Sequence, residues 1–115
     1  MLNTNLQHIE SVEQYEQLIA SGAKVAVVCG RMGPMCVPVY SVMDALKSNY
    51  PDVNFYDMDF DTAVAMQTIR RLPETNGFMG LPFTVYYKDG GVVAATSSIQ
   101  NKKQVKEILD GRLSP

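Results

Sequence analysis

The sequence predicts an α/β domain in three layers, with a mixed central sheet and helices on both of its faces. Three observations carry this. Apolar, strand-like segments alternate along the chain with segments of helical period. One run, Val25-Ala26-Val27-Val28-Cys29, is apolar at every position, the pattern of a strand buried on both sides. Near the end, two strand-like runs flank the turn Asp89-Gly90-Gly91 and read as a hairpin. Alternating strands and helices imply parallel pairing through crossovers, and the hairpin adds an antiparallel edge. The predicted order is β-α-β-α-β-α-β-β-α.

Each element has its own local signal. Leu6-Gln7-His8-Ile9 alternates enough for a short strand. Ser11 followed by Gln14 resembles a capping box, and Val12, Tyr15, Leu18 and Ile19 follow at helical spacing until Ser21-Gly22. After the buried run comes a loop, Gly30-Arg31-Met32-Gly33-Pro34-Met35, rich in glycine and proline. From Cys36 onward Val39, Val42, Met43, Leu46 and Tyr50 recur at helical period. Pro38 is tolerated only in a first turn, where its missing N–H costs nothing, so the helix starts at or next to Cys36.

Residues 53–58 alternate as a third strand. Asp61 is a candidate cap for a third helix, with Val64, Ala65, Ile69 and Leu72 inward and Pro73 ending it. Residues 74–80 read as a loop, and residues 83–87 and 92–96 as the hairpin. Asn101 with Gln104 caps a last helix carrying Val105, Ile108 and Leu109, and Gly111 is expected to close it.

A chain of 115 residues, 46% apolar and 19% charged, is expected to form one soluble globular domain over residues 1–115, with a core from about 6 to 111. A net charge of -2, with no basic cluster larger than Arg70-Arg71 or Lys102-Lys103, argues against a nucleic-acid partner. No apolar run approaches the roughly 20 residues that span a bilayer. The first residues carry no basic-then-apolar pattern of a signal peptide. Two cysteines are too few for a disulfide scaffold, so a cytoplasmic location with free thiols is expected. Asp57, Asp59 and Asp61 read as a strand end running into a helix cap rather than a metal site, and no cofactor is expected.

The chemistry centres on Cys36-Val37-Pro38-Val39. A thiol at a strand-to-helix junction meets unpaired N–H groups and a partial positive charge, which favour thiolate over thiol. Its place beside a glycine-rich loop predicts exposure. Arg31 nearby is either a stabiliser of that thiolate or a solvated loop charge. Met32 and Met35 flank the site as flexible, polarizable side chains suited to a peptide surface or to anchoring the loop. Cys29 ends a buried strand and reads as structural. His8, on the first strand, reads as a surface residue remote from Cys36.

Residues 80–94, Gly80-Leu81-Pro82-Phe83-Thr84-Val85-Tyr86-Tyr87-Lys88-Asp89-Gly90-Gly91-Val92-Val93-Ala94, resemble the thioredoxin family's run of glycine, apolar residue, cis-proline, threonine, strand and Lys-x-Gly turn. The likeness extends over roughly residues 6–111 and implies the thioredoxin fold, a cis peptide bond before Pro82, and a substrate groove at Met35, Leu81 and Pro82.

The family's two-cysteine motif is incomplete here. In one alignment Cys36-Val37-Pro38-Val39 matches it, Cys36 is the nucleophile, and Val39 replaces the resolving cysteine. In the other, without gaps, Gly33-Pro34-Met35-Cys36 matches and Gly33 stands in the nucleophile's place. The first is preferred because the second sets Pro38 deeper in the helix. The family's tryptophan before the motif is absent, and its buried acid is replaced within Val25-Ala26-Val27-Val28. The resemblance therefore implies a redox protein acting through one thiol, Cys36, on protein or low-molecular-weight disulfides, released by an external thiol such as glutathione. Two alternatives stay open: a non-catalytic module that binds a peptide segment of a partner, and a dithiol reductase pairing Cys29 with Cys36.

Overall fold

The computed structural model describes residues 2–113, and in it β2 (Lys24–Gly30) is the middle strand of a five-stranded sheet. β1 (Gln7–His8), β3 (Val53–Asp59), β4 (Phe83–Lys88) and β5 (Gly91–Ser97) complete it in the order β1-β3-β2-β4-β5. β3 runs parallel to both β1 and β2, whereas β4 is antiparallel to β2 and to β5. The helices are α1 (Val12–Ala20), α2 (Val37–Leu46), α3 (Ala63–Gln67) and α4 (Lys102–Arg112). The predicted element order and mixed sheet are those observed.

Alternation along the strands sorts the interior into two cores. Val25, Val27 and Cys29 of β2 face Tyr15 of α1 and Ala65 of α3, together with Met58, Val85 and Tyr87. Ala26 and Val28 face the other way, onto Val39, Tyr40, Met43 and Leu46 of α2 and Val105 and Leu109 of α4. Val25, Val27 and Val28 are wholly buried. At about 1.5–3 kcal/mol per buried valine, this offsets the roughly 1–2 kcal/mol it costs to fix each residue's backbone.

Several boundaries differ from expectation, each for a local reason. Ser11 Oγ accepts from Gln14 N, but the Gln14 side chain accepts from Glu10 N, so the capping box is only half formed. The cap of α3 is Thr62, whose Oγ1 accepts from Ala65 N, because Asp61 is committed to Arg31. That helix is one turn long and continues as 3-10 turns at Ile69–Arg71 and Pro73–Thr75. β2 extends through Gly30, the first residue of the predicted loop. α4 carries the complete capping box of Asn101 and Gln104, and runs through Gly111 to Arg112 instead of stopping at the glycine.

Candidate functional site around Cys36

Cys36 is the N-cap of α2, with Pro38 in the first turn as its ring requires. The turn before it is closed by Cys36 N donating to Gly33 O at 3.1 Å and Val37 N donating to the same oxygen at 3.0 Å. The sulfur points inward rather than to solvent. Cys36 is 2% exposed and packs among Val28, Val39 and Tyr40. The expected exposure is therefore corrected: with α2 starting at Val37, the Cys36 side chain shares the inward face with Val39, Tyr40 and Met43.

Three elements converge on the sulfur. A methyl group on Gly30 would meet Cys36 Sγ and the Tyr40 hydroxyl at 2.8 Å and Pro82 Cβ at 3.0 Å, so the end of β2, the first turns of α2 and the start of β4 share one small space. The Leu81–Pro82 peptide bond is cis. Leu81 packs against both cores. The Arg31 backbone N–H donates to Cys36 Sγ at 3.4 Å, and the Tyr40 hydroxyl donates to Arg31 O at 3.0 Å, which fastens the loop over the thiol. Burial raises the Tyr40 hydroxyl well above its ordinary range, and the adjacent Cys36 adds to this.

The Arg31 guanidinium is bonded to Asp61, at 2.7 and 2.8 Å, rather than to the thiol, and lies 5.3 Å from the Phe60 ring centroid. This pairing raises Arg31 and lowers Asp61 relative to their ordinary values. Cys29 belongs to the opposite core, and both thiols are free. Burial pushes the Cys29 thiol up to about 12, in keeping with its structural reading. A Cys29–Cys36 pair would have to reach across β2 from one face to the other, which the geometry of a disulfide does not permit without moving the strand.

Several large apolar side chains are exposed at this end of the sheet. Met32, Met35 and Val37 are 47%, 44% and 38% exposed, Met79 is 96% exposed and Ile99 48%. They follow the end of β2, precede the start of β4 and follow the end of β5. Register puts all three of those ends at one pole of the sheet, since Cys29 pairs with Phe83 and Phe83 with Ser97. The predicted groove residues are thus divided: Pro82 is buried against the thiol's space, while Met35 stands on the rim.

The sequence assigns no place at the site to Tyr40 or Gly30, and no burial to Asp57. Tyr40 was discoverable, standing four residues after Cys36 and so on its helical face. Asp57 shares period two with Val53 and Phe55, which marks an inward position. It is 1% exposed, accepts from the Thr4 hydroxyl, and lies 2.7 Å from His8 Nδ1. His8 is accordingly the partner of a buried acid and not merely a surface residue.

No protein-family model matches the sequence, and no curated protein does. Solved structures do match. Thioredoxin from Malassezia sympodialis is 16% identical with a TM-score of 0.77, covering 99% of this chain and 96% of its own. Mitochondrial thioredoxin 3 of Saccharomyces cerevisiae is 20% identical with a TM-score of 0.72, covering 91% and 94%. Plasmodium falciparum thioredoxin is 18% identical with a TM-score of 0.73, covering 91% and 97%. The chain has the thioredoxin fold. Within that fold Cys36 stands at the start of the helix following the middle strand, facing the cis-proline loop. Among the described residues no helix is long and apolar enough to cross a membrane.

Proposed function

We propose that this thioredoxin-fold protein carries out thiol–disulfide exchange through Cys36 alone. The observation that carries the reading is the convergence of Gly30, Tyr40 and cis-Pro82 on Cys36 Sγ at a helix start, with the Arg31 N–H donating to the sulfur. A disulfide substrate, protein or small, enters past Met32 and Met35. The Cys36 thiolate attacks one sulfur, a mixed disulfide forms, and the other sulfur leaves as a thiolate. With no second thiol on this face, release falls to an external thiol such as glutathione. A reducing compartment such as the cytoplasm suits a chain whose two cysteines are both free.

The enclosure of Cys36 supports the gapless alignment, in which it holds the inner, resolving place and attacks only because Gly33 supplies no outer thiol, and Pro38 lies in the first turn under that alignment too. Gly33 then occupies the outer position. A residue there has open space around its Cβ, and the Cys36 N–H bond to Gly33 O closes a turn that brings the two Cα atoms within about 7 Å.

Incubation with oxidised glutathione followed by intact-mass measurement tests the reading. One glutathione per native chain, lost in Cys36→Ser, is expected, with slow insulin reduction that rises in Gly33→Cys. No adduct on native protein, against ready labelling once unfolded, would sink it.

A second reading has its own support. Exposed Met32, Met35, Met79 and Ile99 around an inaccessible thiol suit a module that docks an extended peptide segment without chemistry. Peptide affinity unchanged in Cys36→Ala, together with the absence of adduct, would favour it.

A further inference from the structure

The sulfur atoms of this chain are sorted by depth. Both thiols lie inside, Cys36 on one face of the sheet and Cys29 on the other, and the thioethers of Met43 and Met58 are wholly buried with them. The thioethers of Met32, Met35, Met66 and Met79 stand in solvent, Met79 almost completely. Methionine belongs among the residue types most often buried, so this many exposed copies ask for a reason.

Three of these thioethers surround the approach to Cys36. Met32 and Met35 occupy the loop between β2 and α2, and Met32 lines a cleft with Val37 and Tyr40 of α2. Met79 lies two residues before Leu81, whose bond to Pro82 is cis, and the pairing of Cys29 with Phe83 sets that segment beside the end of β2. The backbone under Met79 is held. Ser98 N donates to Gly80 O at 3.2 Å and to Pro82 O at 3.1 Å, and a Cβ on Gly80 would collide with Ser98 Oγ. The exposure of Met79 is therefore that of a side chain on a fastened turn. Met66, on α3, belongs to neither loop.

Depth decides which sulfur an oxidant meets. A cysteine reacts with a hydroperoxide as its thiolate, so it needs both contact with the reagent and loss of its proton. Cys36 Sγ is walled in by Gly30, Tyr40 and Pro82 and accepts the Arg31 N–H at 3.4 Å. Any reaction there requires the site to open first. Cys29 lies in the opposite core, where burial pushes its thiol up to about 12. A thioether has no proton to lose, and those of the rim are already outside. Leucine would offer a partner the same apolar contact without that liability.

We propose that the thioethers of Met32, Met35 and Met79, ahead of either thiol, are the sites at which hydroperoxides modify this protein, and that the resulting sulfoxides turn the approach to Cys36 polar and slow its reaction with protein disulfides. The second part rests on Cys36 exchanging disulfides as proposed above. In the modification the thioether sulfur attacks the outer oxygen of the peroxide. The O–O bond breaks, an S–O bond forms, and the proton of the transferred oxygen passes to the departing one, which leaves as water or an alcohol. Sulfur is oxidised, giving up a pair of electrons to the peroxide. The side chain becomes polar, which disrupts apolar contact with a partner chain and leaves the entry of a small disulfide unaffected.

Mapping the oxygen tests the first part. Hydrogen peroxide is added to native protein, samples are quenched with catalase and alkylated after unfolding, and each sulfur is read by peptide mass. Oxygen on Met79, Met32 and Met35 is expected about tenfold sooner than oxidation of Cys36, Cys29, Met43 or Met58, an order lost when unfolded protein is treated. Oxidation of Cys36 before the rim, or of Met43 and Met58 as fast as Met79, overturns the assignment.

For the second part, peroxide-treated protein with both thiols intact is compared with untreated protein in reducing insulin and a small aromatic disulfide, reduced glutathione being present. A loss of about tenfold with insulin and little change with the small disulfide is expected, and methionine sulfoxide reductases for both epimers restore the rate. The triple variant Met32→Leu, Met35→Leu, Met79→Leu keeps its own starting rate through the treatment, whatever that rate is, whereas Met66→Leu loses rate as wild type does. Equal loss with both disulfides, loss that persists in the triple variant, or no loss with sulfoxide on all three residues overturns this part. Should untreated protein reduce neither disulfide, the reading of Cys36 fails and the second part with it, while the mapping alone decides the modification site.

Discussion

On the α1/α3 face of the sheet, β2, β3 and β4 present Val25, Val27, Cys29, Met58 and Val85, and the buried hydroxyls of Tyr15 and Tyr87 close on each other at 2.7 Å. On the α2/α4 face the same strands present Asp57 and Thr84 among their apolar residues, and α2 adds Cys36 and Tyr40. Both faces are sealed from solvent, and each holds one cysteine. One is a hydrocarbon core whose polar atoms are paired off. The other holds hydroxyls with no partner among the described residues, and a buried carboxylate bound by Thr4 and His8. A single sheet thus separates a largely hydrocarbon core from one that carries polar side chains beside Cys36, by no device other than the period-two alternation of its strands.

The sharpest way to break that contrast is to put a charge on the hydrocarbon face. Val27→Asp buries a carboxylate with no partner and is expected to cost about 3–5 kcal/mol, read by chemical denaturation. A cost under about 1 kcal/mol would mean that this face is not sealed. Next in size, Met58→Ala on the same face leaves a cavity and costs about 2–5 kcal/mol by the same measurement.

The opposite face should respond with the opposite sign. Thr84→Val keeps shape and removes a buried hydroxyl that has no partner among the described residues, and a gain of about 1–3 kcal/mol is expected. Destabilisation would show that the hydroxyl is satisfied in solution.

Acid titration separates the buried carboxylate from the exposed ones. Asp57 is raised in the fold from 3.8, chiefly by burial, so the folded state holds its proton more tightly than the unfolded chain. Its contribution to stability is complete below pH 3.8 and is lost as pH rises through the raised value. Asp57→Asn should abolish that decline. Asp44, Asp52 and Asp61 are lowered by Lys47, Lys24 and Arg31, so their contributions run the other way and fade as pH falls below the ordinary carboxylate range. Asp61→Asn should flatten the acid limb instead. Stability measured from pH 3 to 7 in both variants distinguishes the buried carboxylate from the exposed one.

The smallest effect is expected at the other thiol. With Cys29 pushed up to about 12, it stays protonated and unlabelled in native protein at neutral pH. Cys29→Ala should leave glutathione uptake unchanged, whereas uptake lost with Cys29 would return the dithiol alternative.

Much of the fold was legible because period and punctuation agree along the chain. The all-apolar run at Val25-Ala26-Val27-Val28-Cys29 admits no exposed face, and Asp89-Gly90-Gly91 leaves the hairpin little freedom: Asp89 and Gly90 have φ of 55° and 85°. The site was less legible. A helix start next to a glycine-rich loop suggests an exposed thiol, but the direction of a side chain at an N-cap depends on which face the helix packs, and that is a tertiary fact. The burial of Asp57, placed correctly on its strand, was not legible for a related reason. Its position says inward and its charge says outward, and only the Thr4 and His8 partners, 53 and 49 residues away, decide between them.

Gly30 sets the clearance between the end of β2 and the first turns of α2, with only a hydrogen between the strand and the sulfur. Its φ lies in ordinary strand territory, so the backbone would accept any residue and the thiol's space would not. The position therefore acts as a gauge. One added carbon pushes Cys36, Tyr40 and Pro82 apart together, and the same displacement would reach the start of β4, the foot of α2 and the Arg31 loop at once.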